Sequence, residues 1–259
     1  MSAIASSHPA AGDTPAPAAF RAVQVLEYLG ARSEPATLTD IAIGLGIAKS
    51  SASNLVTTLE AAHMLRRSGR RWMLGYKVLE LGQSMLASTT LVGEFRRITD
   101  ALPTLQNDTA LLATLDGMEV IYLARHDGRQ PIRLASDIGR RMPASVTALG
   151  KAMLASLPPD ELDARLSGVD ALPRPTKRAP RNVAELRREL TQVRLRGFAI
   201  DDEQNTIGVT CFAVSVPTTG EPIAVSTTLL TQRVRLELRE RLIADLTSLA
   251  RQLSPIAER

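Results

Sequence analysis

Residues 37–74 constrain the fold of this chain more than any other stretch. Thr37 followed by Asp40 has the spacing of a capping box, in which a hydroxyl and a carboxylate satisfy N–H groups that a helix start leaves without partners. The pattern predicts a short helix over 38–45, a tight turn at Gly46, and a second helix burying Ala52, Leu55, Val56 and Leu59. That second helix opens at Lys49 and turns Ser50, Ser51, Ser53, Asn54 and Thr57 to its other side. Two short helices across a glycine turn, the second presenting small hydrogen-bonding side chains, form a helix-turn-helix.

Strand-like runs over 65–67 and 70–74 follow, with Ser68-Gly69 between them as a hairpin turn. Such a hairpin is a wing. Arg66, Arg67, Arg70 and Arg71 surround its tip, where guanidinium groups reach the phosphates beside a groove that the second helix fills. In isolation this charge run reads as a solvated surface hairpin. Directly behind a helix-turn-helix it reads as a DNA-binding surface.

A length of 259 residues with 44% hydrophobic content suits two domains, each with its own core. The net charge of +4 is too mild to imply nucleic acid by itself, so the argument rests on where arginine clusters. The single cysteine, Cys211, excludes an internal disulfide and a thiolate zinc cluster. His8, His63 and His126 lie far apart, so no metal motif of close spacing and no cofactor are expected. With neither an apolar run of membrane-spanning length nor a signal peptide visible, the expectation is a cytoplasmic protein without membrane contact.

Residues 1–19 are small and proline-rich and read as a disordered tail. A head over 20–75 begins with a helix from Phe20 that carries Ala22, Val25, Leu26 and Leu29, with Arg21 as a surface or phosphate contact. A linker helix over 76–90 carries Val78, Leu79, Leu81, Met85 and Leu86, which serve a partner chain, a bridge between domains, or burial within the chain. The body, 91–259, starts with a helix over 91–105 that stops near Pro103. Strands follow over 109–115, 119–125 and 132–136, then a loop over 139–143 and helices over 146–157 and 160–166. A basic loop over 172–180, whose charge is read most simply as solubility, precedes a helix over 183–196. Strands over 198–201, 209–216 and 223–229 lead to a last helix with Val234, Leu238, Leu242, Leu246, Leu249 and Leu253. The body is thus an antiparallel sheet flanked by helices, and the whole chain is α+β.

A search for catalytic motifs finds no nucleophile elbow, no phosphate loop and no dinucleotide fingerprint. Asp201, Asp202 and Glu203 suit a solvated turn better than a hard-metal or acid/base site, and Cys211 suits a small buried hydrophobe better than a nucleophile. A DNA-binding head on a catalytically featureless body points to a sensor. Asp201, Cys211, Ser226 and Thr228 can give its pocket polarity, or can be core polar groups satisfied by backbone. The competing reading is an enzyme or metabolite-binding protein using the Asp201 and Cys211 region, with the head serving protein contacts.

The chain resembles the IclR family of bacterial transcriptional regulators. The likeness rests on Arg21 to Glu27, Leu38 to Ala42 with Leu45-Gly46, Lys49-Ser50-Ser51, and Leu55 to Glu60 in the head. In the body it rests on Gly139 to Pro143, Ala148 to Ala152, Arg196 to Glu203, and Gly208 to Cys211. The resemblance implies a winged helix-turn-helix, a linker helix and a GAF-like effector domain that binds a small metabolite, often a carboxylic or aromatic acid. It further implies homodimers or dimers of dimers that bind palindromic operator DNA as repressors or activators. By position, Leu134 and Met142 would form the apolar wall of the effector pocket, Ala148 and Leu149 would present backbone N–H groups, and Asp201, Cys211, Ser226 and Thr228 would be its polar side. Asn54 stands where the family often has arginine, the segment 176–180 departs from a threonine-rich loop, and Thr227-Thr228-Leu229 replaces a common serine pattern.

Overall fold

The computed structural model describes residues 14–87, 90–129 and 137–258, which fall in two compact units, Met1–Ser88 and Thr89–Arg259. Helix α1 (Pro17–Gly30) starts three residues before the expected Phe20, because a proline in the first turn forfeits no helical hydrogen bond. A two-residue strand, β1 (Ala36–Thr37), leads into α2 (Leu38–Gly44). Its start is a full capping box: Thr37 Oγ1 accepts from the Asp40 N–H at 3.2 Å, and Asp40 Oδ2 accepts from the Thr37 N–H at 2.8 Å. Gly46, at φ 63°, reverses the chain into α3 (Lys49–Ala61) where a side chain would be strained.

The wing is β2 (Leu65–Ser68) against β3 (Arg71–Leu74). Ser68 pairs with Arg71, so the turn is Gly69-Arg70 and not Ser68-Gly69. The ladder gains one pair by placing the glycine, at φ 63°, first in the turn. Strand β1 joins β3 from the other side, giving the order β1-β3-β2. Val25, Ile41, Ala52, Val56, Leu65 and Trp72 meet in one core beneath these elements. Helix α4 (Tyr76–Ala87) follows, and Tyr76, Leu79, Leu81 and Met85 on it are 51% to 69% exposed.

In the second unit α5 (Thr90–Ala101) ends four residues before the expected 105, and the chain passes Pro103 into a 3-10 turn at Leu105–Asn107. Six strands form one antiparallel sheet: β4 (Thr109–Asp116), β5 (Glu119–His126), β6 (Arg141–Pro143), β7 (Ala199–Asp202), β8 (Val209–Val216) and β9 (Ile223–Leu230). Their order is β6-β5-β4-β9-β8-β7. The segment 139–143, expected as loop, supplies β6, because Arg141 to Pro143 pair with Glu119 to Ile121. The expected strand over 132–136 lies outside the described residues, as does Leu134.

Strand side chains alternate between two cores. Ala110, Leu112, Phe212, Val214 and Val225 pack with α5 and with α9 (Leu236–Ala257), whose Leu242, Leu246, Leu249 and Leu253 line one stripe. Val234, grouped with that helix in the sequence, sits in the turn before it. Leu111, Ala113, Ala213 and Ala224 pack instead against α6 (Ala148–Ser156), α7 (Pro159–Leu166) and α8 (Val183–Arg196). Helix α6 begins two residues later than expected because Thr147 caps it, accepting from the Gly150 N–H at 3.2 Å. A Cβ on Gly150 would lie 2.2 Å from Ala144 Cα, so only glycine lets the first turn of α6 press against that backbone.

Candidate functional site

The head presents one open polar face. Lys49, Ser50, Asn54 and Thr57 are exposed on α3, Ser51 and Ser53 are half-buried, and Ala52, Val56 and Leu59 on the opposite side are buried. Among the described residues none of those six side chains is held by an intrachain hydrogen bond, so their donors and acceptors remain available. Four arginines beside this face differ in how they are held. Arg67 donates through one nitrogen to both oxygens of Glu60 at 2.8 and 2.9 Å and stacks over Trp72 at 4.8 Å. Arg71 donates to the Pro35 carbonyl at 3.0 Å, and Arg66 lies 5.0 Å over the Tyr76 ring. Arg70, at the tip, makes no such contact among the described residues. Arg21 is half-exposed on α1.

The body encloses a cavity of about 330 Å³. Its floor follows from strand register, since Asp201 pairs with Cys211, Cys211 with Thr228 and Thr228 with Thr109, one row of polar side chains across four strands. Ser226 is two residues from Thr228 and so shares its face. Met142 from β6 and Ala148 and Leu149 from α6 close the other side. The Ala148 and Leu149 N–H groups have no acceptor among the described residues, which leaves the α6 N-terminus open to an anion. Seven of the eight residues singled out for a pocket therefore meet at one cavity, and the eighth, Leu134, lies outside the described residues.

Burial sets the charge states here. The Asp201 carboxyl, 3% exposed, is pushed up to about 6 by desolvation. Hydrogen bonds to Oδ1 from the Asn205 and Gln204 N–H groups, at 3.1 and 2.8 Å, and the nearby Lys151 charge pull it partly back. Its other oxygen accepts no hydrogen bond among the described residues. The solvated-turn reading of 201–203 thus fails for Asp201, which is drawn inward to cap its own loop. Asp202 does face outward, Glu203 is largely buried with its side chain 16% exposed, and both pair with Arg178, at 2.7 and 3.1 Å. Within the 172–180 loop the charge of Arg178 is accordingly a structural clasp. Cys211 Sγ lies 3.3 Å from Thr228 Oγ1, and burial pushes its thiol up to about 12. A thiol held protonated at neutral pH is a poor nucleophile while it stays buried.

The sequence model of the IclR helix-turn-helix domain matches residues 18–69, and that of the bacterial transcriptional regulator IclR C-terminal domain matches residues 83–255. The chain belongs to the IclR family of bacterial transcriptional regulators. Within that family, the HTH-type transcriptional regulator XynR of Escherichia coli K12 is 32% identical over 201 residues, 76% of this chain and 78% of that protein. A crystal structure of a Rhodococcus sp. RHA1 chain assigned as a transcriptional regulator superposes with a TM-score of 0.79 at 27% identity, over 93% of this chain and 97% of that one. An IclR homolog from Microbacterium hydrocarbonoxydans, complexed with 4-hydroxybenzoate, shares the fold with a TM-score of 0.76 at 22% identity, over 92% and 99% of the two chains. The matched relatives are regulators, and the chain is accordingly a DNA-binding transcriptional regulator rather than an enzyme. Among the described residues no helix is long and apolar enough to cross a membrane.

The IclR fold also brings to the cavity residues that sequence reasoning did not single out: Thr109, Tyr122, Arg140, Thr147, Asn205 and Thr206. Tyr122 is 7% exposed, its hydroxyl has no hydrogen-bond partner among the described residues, and burial raises its pKa. The Ser226 hydroxyl is likewise unpaired. Tyr122 stands on β5, far from β7 in strand order, yet it lines the same cavity as Asp201 and Cys211, because the sheet curls.

Proposed function

We propose that this IclR-family chain is a ligand-responsive regulator that binds a palindromic operator as a dimer, alone or in pairs, and senses a small carboxylic or aromatic acid in the cavity. The observation that carries the reading is the unengaged polar face of α3, which carries Ser50, Asn54 and Thr57 in the open. In that arrangement α3 lies in the major groove, where the Asn54 amide has the donor and acceptor geometry for an adenine edge. Arg66, Arg67, Arg70 and Arg71 neutralise flanking phosphates, with Arg70 the most available, and Lys49 and Arg21 add backbone contacts.

For the effector, the cavity offers donors toward an anion: the Ala148 and Leu149 N–H groups, the Arg140 guanidinium and the Tyr122 hydroxyl. The open oxygen of Asp201 offers an acceptor toward a hydroxyl or amine. An acid bearing a second polar group suits both, as does the 4-hydroxybenzoate held by the Microbacterium homolog. Met142, Leu134, Cys211, Ser226 and Thr228 complete the effector-contacting set in this reading. Dimerisation follows from α4, the linker helix, whose exposed Tyr76, Leu79 and Met85 gain burial against a second copy.

A mobility-shift assay with the DNA upstream of the protein's own gene tests the reading. A sequence-specific band that a binding acid alters supports it, and no specific band at moderate salt contradicts it. The acid is found by thermal shift over a panel of small carboxylates, since a ligand at about 100 times its Kd adds about 2.7 kcal/mol to stability.

A further inference from the structure

Lys151 is the one fully buried lysine among the described residues, its side chain 2% exposed, yet it touches no part of the cavity surface. It stands one turn past Ala148 on α6 and points its ammonium at three acceptors from three other elements. These are Glu189 Oε2 on α8 at 3.0 Å, the Ile200 carbonyl on β7, and Gln204 Oε1 in the loop after β7. Gln204 in turn donates its amide to both Glu189 oxygens at 3.1 Å, and its backbone N–H to Asp201 at 2.8 Å. That loop, 202–208, carries Asn205 and Thr206 into the cavity wall. Outside, the Thr176 hydroxyl donates to the Glu203 and Gln204 carbonyls, at 2.7 and 2.9 Å, and Arg178 clasps Asp202 and Glu203. The loop also holds Glu203 in the left-handed region at φ 57°, a conformation that costs a non-glycine residue energy and needs its neighbours to keep it.

A buried ammonium is expensive, and one buried alkyl group would fill the same space without the cost of desolvation. The return must come from what the charge holds. We propose that Lys151 is a positioning residue of the effector cavity: from behind, through Gln204 and the Ile200 carbonyl, it keeps the 202–208 loop seated as the cavity wall and Asp201 aimed inward. The proposal rests on reading the cavity as the effector site. Lys151 itself does not contact the effector. Its removal leaves the loop to the Asp201 cap, the Glu203 bond to the Gly208 N–H and the Thr176 and Arg178 clasp, and the cavity opens more readily along β7, an edge strand of the sheet.

The test uses the full chain without effector and takes Cys211, the only cysteine, as a reporter, since its thiol lines the cavity behind this wall. Iodoacetamide labelling of Lys151→Met is expected to run about tenfold or more faster than in wild type, which is the effect of losing charge-assisted hydrogen bonds from a local opening equilibrium. Amide exchange should quicken in 202–208 and stay unchanged in β4 and α9. Gln204→Ala, a half-buried loop change that folds even if Lys151→Met does not, should shift labelling in the same direction by less. A second readout is the carboxyl carbon signal of Asp201, assigned with Asp201→Asn. Lys151 from α6 and Asp202 from β7 act on this carboxyl, Glu189 from α8 reaches it through Lys151, and Tyr122 from β5 and Cys211 from β8, both uncharged in this pH range, line the same cavity. Lys151 lowers its midpoint, so the midpoint, about 6 in wild type, should rise in Lys151→Met. Unchanged labelling in both variants, faster exchange throughout the body, or an unmoved Asp201 midpoint would overturn the proposal. Whether 4-hydroxybenzoate slows wild-type labelling is a separate result: its failure counts against the effector reading and leaves the Lys151 result standing or falling by itself.

Discussion

Small hydroxyl and amide side chains do two opposite things in the two units of this molecule. On α3 Ser50, Asn54 and Thr57 share a face because a helix repeats every 3.6 residues, and that face is open. In the body Ser226 and Thr228 share a face because a strand repeats every two, and register aligns Thr228 with Thr109, Cys211 and Asp201 across four strands. The first set is exposed, while Ser226 and Thr228 are at most 5% exposed. The same chemistry is thus open to the outside in one unit and lines a cavity in the other. Backbone period and burial, rather than residue type, separate the two roles.

The largest way to break this contrast is to collapse the enclosed side alone. Gly150→Val sets a branched side chain against the Ala144 backbone and should destabilise the body by about 3 kcal/mol or more, read as a lowered thermal midpoint. On the open side, replacing Arg66, Arg67, Arg70 and Arg71 together with Ala should weaken binding to every DNA sequence and flatten the log–log salt dependence by about one unit per lost contact. An unchanged slope would assign the wing no phosphate contacts. Arg70→Ala should account for its share without loss of stability, whereas Arg67→Ala should also lower the melting temperature, because it removes a Glu60 pair and a stack on Trp72. Asn54→Ala should change preference at one base position by about 1–3 kcal/mol, as measured by competition with single-base operator variants. Uniform weakening would contradict base readout.

The smallest effect concerns the enclosed carboxyl. Asp201 has a folded-state pKa of about 6 against an ordinary 3.8, so the native state holds more protons than the unfolded chain between those values. Stability from this group is therefore present at low pH and falls as pH rises through that window. Thermal midpoints across pH 4 to 7 should show a decline of a few degrees in wild type that is absent in Asp201→Asn.

The open side was legible from sequence because its signals are local. The Thr37 and Asp40 spacing, the glycine turn and the apolar period of α3 each lie within a few residues, and the structure reproduces them closely. Strand β1 escaped because two residues carry no period. Asp201, Cys211, Ser226 and Thr228 were legible as candidate pocket polar groups, but their meeting with Thr109 and Tyr122 was not, since nothing local links Asp201 to either. Curling of the sheet and the register across β7, β8, β9 and β4 make that link, and neither is written in a window of sequence. Strand β6 escaped for the related reason that Arg141-Met142-Pro143 shows no alternation and becomes a strand only by pairing with β5. Lys151 was invisible as a buried charge because its three acceptors come from residues 189, 200 and 204.

The central claim, that α3 is left bare for a duplex, is tested most directly by a mobility shift comparing wild type with the combined Ser50→Ala, Asn54→Ala and Thr57→Ala variant. All three changes lie on exposed positions and leave the core of the head intact. The account predicts a specific complex for wild type, and for the variant only weak, salt-sensitive binding that no longer distinguishes the operator from random DNA. A variant that keeps the full preference of the wild type would contradict it.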